Sequence, residues 1–88
     1  MVRAQPDASA HADLAVALAA TGRLAEAIPH LEAAVRLQPD SAGAQHTLAV
    51  ALGQAGRFAE AVQHDEAALR LQPDFTEARE HLNWLRAQ

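Results

Sequence analysis

Cysteine, lysine and tyrosine are absent from this chain of 88 residues, and Phe58, Phe75 and Trp84 are its only aromatic side chains. Without cysteine there is no disulfide and no thiolate metal site. Without lysine the positive side chains are all arginine, and they are outnumbered, giving a formal net charge of −4. Scattered arginines in an acidic chain form no basic stripe for phosphates, so nucleic acid and anionic membranes are excluded as expected partners. Runs of β-branched residues are few, which argues against a sheet. Long apolar runs are missing too. Leu14 to Ala20 is too short to span a bilayer, and Asp7, His11 and Asp13 break the pattern of a secretory leader. That segment reads as the buried side of an amphipathic helix, in a chain expected to be cytoplasmic. What the sequence does have is alanine, which makes up most of a hydrophobic half. Alanine favours helix and lets helices pack closely. At 9.4 kDa the chain is read as one small domain, a size at which burying enough core is difficult.

The order in these residues is a repeat. The segment GRLAEAIPHLEAAVRLQPD at 22–40 returns as GRFAEAVQHDEAALRLQPD at 56–74, an offset of 34. The same offset carries Leu14, Ala15, Val16 and Leu18 onto Leu48, Ala49, Val50 and Leu52, so the register spans a whole unit. A fixed period of this length marks stacked units, each burying its apolar face on the next. Two full units are expected at 8–41 and 42–75, followed by a terminal helix at 76–88.

Each unit reads as two helices. The first runs from about Ser9 to Thr21 and again from about Ala42 to Ala55. The second runs from about Ala25 to Gln38 and again from about Ala59 to Gln72. Gly22 and Gly56 fall where the first helix stops and the chain needs positive φ. Pro39 and Pro73 close the second helix by removing a donor and disfavouring helical geometry in the preceding glutamine. Asp40 and Asp74 follow and are expected to cap the next helix, with Glu77 completing a capping box after Asp74. Pro29, near the start of its helix, is expected to cause at most a small bend. Glu32 with Arg36 and Glu66 with Arg70 should pair along a solvated face.

With its leucines (Leu14, Leu48, Leu82), small residues (Ala15, Ala49), alanine pairs (Ala27 with Ala34, Ala61 with Ala68) and closing prolines all in register, the chain resembles the tetratricopeptide repeat family. The resemblance implies an all-α fold, a right-handed α-solenoid of antiparallel helix pairs with about five helices. It also implies a non-catalytic module that binds a protein or peptide segment on a concave face lined by the first helices. The face so implied carries Asp13, Val16, Ala20, His46, Val50, Gln54, Glu80, His81 and Trp84. The lysine, asparagine and arginine that clamp a C-terminal carboxylate in one subclass have no counterpart here. His11, Gln45 and Arg79 stand where the family often has tryptophan, and Leu18 and Leu52 where it often has tyrosine. Asp65 stands where the first unit has Leu31. A buried carboxylate without a partner is costly, so Asp65 is expected to pair with Arg79 or His81, or to remain wet at the end of the stack.

Other constellations carry less. Glu26 with His30, Glu60 with His64 and Glu77 with His81 share the four-residue spacing that places both side chains on one helix face, and ordinary solvated pairing explains them. His46 and His81 can approach each other across adjacent first helices, an arrangement open to a metal or pH-sensitive role but read here without one. No catalytic residue, cofactor or metal is expected, since Ser9 and Ser41 stand at helix starts as caps and there is no glycine-rich phosphate loop. Trp84 is either a partner anchor or a lid over Leu69 and Leu71. With no second helix in the last unit, Leu82 and Leu85 are expected to lie bare and, with Trp84, to offer a self-association contact. The alternatives to a peptide-binding module are therefore a self-associating homo-oligomer and an accessory repeat segment of a larger protein such as a transferase.

Overall fold

The computed structural model describes residues 22–88, and among these all regular structure is helical: α1 (Leu24–Leu37), α2 (Ala42–Gln54), α3 (Phe58–Leu71) and α4 (Thr76–Arg86). The helix expected at about 9–21 lies outside the described residues, as do Asp13, Val16 and Ala20.

The 34-residue period reappears as repeated local geometry. Gly22 and Gly56 have φ of 80° and 81°. Beyond Gly56 the Arg57 amide donates to the Leu52 carbonyl (2.9 Å) and the Gly56 amide to the Gly53 carbonyl (3.1 Å), the paired bonds by which a left-handed residue satisfies the last carbonyls of a helix. Arg23 and Arg57 then begin α1 and α3, each pairing with the glutamate three residues on, Glu26 and Glu60. At the other end the Gln38 and Gln72 amides donate to the Ala34 and Ala68 carbonyls, before Pro39 and Pro73 end the helices. Pro29 sits within α1 without ending it.

Both aspartate caps are corrected. Ser41, itself expected as a cap, and not Asp40, caps α2, its Oγ accepting from the Ala44 amide at 3.2 Å. Phe75, not Asp74, holds the cap position of α4 and makes no side-chain cap bond, so Asp74 and Glu77 form no capping box. The reason is register. After each proline the chain needs one more turn residue than the sequence pattern suggested, so the aspartates fall one position early. The glutamate pairings shift as well. Glu26 and Glu60 pair with the preceding arginines, and Glu66 reaches across to Arg86 of α4 at 2.8 Å.

α3 packs against both α2 and α4, α1 packs against α2, and α2 also touches α4. This is a row of helix hairpins, the arrangement of an α-solenoid. Leu48 and Leu52 are fully buried at its centre. Ala27, Ala34, Ala49, Ala61, Ala68 and Ala78 have essentially no exposed surface, so the alanine pairs of the repeat lie buried within the stack. Leu82 and Leu85, expected bare, are 5% and 3% exposed. α2 and α3 cover them, and Gly53 of α2 makes room: a Cβ there would lie 3.2 Å from Leu85 Cδ2.

Candidate functional site

The stack places one charged side chain entirely out of water. Asp65, in the middle of α3, has no exposed surface. Burial of a lone carboxylate costs several kcal/mol, on the order of what a whole small domain has in reserve. The cost is met from both sides. His46 of α2 brings Nδ1 to 2.8 Å from Asp65 Oδ1, and His81 of α4 brings Nδ1 to 2.5 Å from Oδ2. An ionised carboxylate only accepts, so each imidazole donates to it from Nδ1. Both histidines are about one-fifth exposed along their side chains. The expected His81 pairing is present, His46 completes it, and Arg79 is elsewhere, donating to the Pro73 carbonyl.

Next to this cluster lies a second buried polar link. Gln45 Nε2 donates to the Pro39 carbonyl (3.1 Å), which fixes its amide so that Oε1 accepts from His64 Nδ1 (2.8 Å). Burial pushes the His64 imidazole below its usual range, against the upward pull of Glu60, Glu32 and Asp65. His64 is thus engaged with α2 and not paired along its own helix as the spacing suggested. The Gln45 contact with Pro39 recurs 34 residues later as Arg79 with Pro73. A polar side chain at the position where the family often has tryptophan therefore still ties the first helix to the preceding turn.

The two cluster histidines also belong to a row of rings. Phe75 meets His46 at a centroid distance of 5.1 Å, His46 meets His81 at 5.7 Å, His81 stacks on Trp84 at 5.7 Å, and Trp84 meets Phe58 edge-on at 6.1 Å. All three aromatic residues of the chain lie in this row. Trp84 is 49% exposed and its ring neighbours are His81 and Phe58, so it does not serve as a lid on Leu69 and Leu71. Among the other residues expected on the first-helix face, Val50 is half-buried, while Gln54 and Glu80 are exposed.

Sequence reasoning offered His81 among the alternatives for Asp65 and allowed His46 to approach His81, but missed that Asp65 bonds both histidines, and missed the Gln45 to His64 link and the Phe58 to Trp84 contact. One signal was available: Asp65 stands where the first unit has the apolar Leu31, and a buried carboxylate needs donors on both of its oxygens.

No helix among the described residues is long and apolar enough to cross a membrane. No curated protein matches the chain. The tetratricopeptide repeat profile does, over residues 7–74. With the period, turn glycines and buried alanine pairs repeated in three dimensions, this match settles the assignment: the chain belongs to the tetratricopeptide repeat family.

Proposed function

We propose that the chain is a non-catalytic interaction module, one domain built from units at 8–41 and 42–75 and a terminal helix at 76–88, that holds a protein or peptide segment along the face formed by α2 and α4. Tetratricopeptide repeats generally mediate contacts between proteins, which supports the general class. The observation that carries the specific reading is the row of rings. A chain with three aromatic residues places all of them in one line with His46 and His81, and leaves Phe58 and Trp84 at its open end more than one-third exposed. Aromatic rings of this kind are the usual anchors of a binding surface. Glu80 stands one helical turn before Trp84 on the same side of α4, so the face suits a partner carrying an apolar group next to a cationic one. Val50 and Gln54 extend it along α2. Self-association through Leu82 and Leu85 has no support, because both are spent inside the chain.

Selection from a random library of fifteen-residue peptides tests this. The expected result is a set of binders that perturb the amide resonances of Val50, Gln54, Glu80 and Trp84 and lose at least tenfold in affinity against Trp84→Ala, with the helical circular dichroism of that variant unchanged. Binders that map to the outer surface of α1 and α3, or that hold Trp84→Ala equally well, would overturn it.

A further inference from the structure

The fold does not require a polar cluster at its centre. One unit earlier, the positions of Asp65 and His81 are held by Leu31 and Thr47, and Leu31 is buried at 2% exposure with no polar partner. The chain departs from this at three places that meet at one point, His46 and Asp65 in the second unit and His81 in the terminal helix. Asp65, His46 and His81 come from three different helices, and one donor atom from each lies within 4.8 Å of the others. Replacing a buried leucine by a carboxylate is costly on its own, and two imidazoles converging on it from separate helices are a coordinated change. Gly53 lies beside the same ring, an added Cβ falling 3.4 Å from His81 Nε2.

The geometry points to a binding site for a divalent transition-metal ion at His46, Asp65 and His81, with zinc the best-matched probe. The donor set is two imidazole nitrogens and one carboxylate oxygen, which suits zinc and its first-row neighbours; calcium and magnesium prefer all-oxygen shells. Three protein ligands leave a fourth position, which zinc commonly fills with water. Binding is a ligand exchange without redox change. Each neutral imidazole gives Nδ1 to the ion, and its single proton moves to Nε2 on the far side of the ring. The ion takes the place of two hydrogen bonds and ties α2, α3 and α4 together.

The test is titration of chelator-stripped protein with zinc chloride, followed by calorimetry and by the imidazole nitrogen resonances. The expected result is one zinc per chain, a raised Tm, and shifts confined to the rings of His46 and His81, with magnesium and calcium giving no response. Asp65→Leu and His81→Thr, which install the residues found one repeat earlier, should keep the helical spectrum and lose the stoichiometric site. If either variant fails to fold, the wild-type resonances still decide. No change in the two rings at equimolar zinc, or changes that fall on His11, His30 or His64 instead, would overturn the assignment.

Discussion

At the scale of single residues, the energetics centre on Asp65. Its two hydrogen bonds are charge-assisted, and each such bond typically contributes on the order of 1.5–3 kcal/mol once desolvation is counted. Removing one partner leaves the carboxylate buried with half its support, whereas removing the carboxylate leaves two imidazoles that can turn to water, since both are partly exposed. The two changes should therefore differ in size. His81→Ala is expected to destabilise the fold by about 1–3 kcal/mol, and Asp65→Leu by clearly less, or to stabilise it, because an apolar isostere of a buried charge is often neutral or better. Urea unfolding of the two variants without metal measures the order, and an Asp65→Leu variant weaker than His81→Ala contradicts it. The sequence exposed the problem at this scale but not its full answer. Asp65 was recognisable as a misfit against Leu31 because the repeat supplies its own reference. Which histidines reach it depends on how α2 and α4 pack around α3, and a one-dimensional pattern does not contain that.

At the scale of elements, the period was legible because its punctuation is steric. Positive φ at Gly22 and Gly56 and the missing amide at Pro39 and Pro73 fix helix ends wherever the rest of the chain goes, and the observed ends of α1 and α3 agree with the sequence reading to within a residue or so. The caps were less legible, because aspartate and serine are both good caps and only the register of the turn decides between Asp40 and Ser41. Two glycines in one turn region test the distinction between backbone and packing. At Gly56 nothing lies within 4 Å of an added Cβ, so Gly56→Ala meets only the left-handed backbone penalty, about 1–2 kcal/mol. At Gly53 the backbone is ordinary helix, where alanine is favoured over glycine by about 0.5–1 kcal/mol, but the Cβ would press on Leu85 and touch the His81 ring, and overpacking typically costs about 1–3 kcal/mol. Gly56→Ala should lose stability in urea, and only Gly53→Ala should move the His81 and Trp84 resonances. Equal shifts in the two variants would mean that the turn and the α2–α4 contact are not separable.

At the scale of the molecule, a stack of hairpins has mostly nearest-neighbour contacts, so its parts need not open together. α3 is gripped on two sides, by α2 and by α4, whereas α4 leans chiefly on α3 and touches α2 near Gly53 and through the His46 to His81 ring contact. Its attachments are Ala78, Leu82 and Leu85 in the core, the His81 bond to Asp65 and the Arg86 pair with Glu66. The Arg86 pair is exposed and contributes little. The His81 bond is therefore the main polar tie between α4 and the stack, and α4 also carries Trp84, the proposed anchor for a partner. Native-state hydrogen exchange should show α4 opening more readily than α3, and His81→Ala should speed exchange in α4 several-fold while leaving the middle of α2 near its wild-type rate. If His81→Ala instead lowers protection equally in α2, α3 and α4, the described helices open as one cooperative unit. The binding face would then share the full stability of the core, with no separate adjustment at its end.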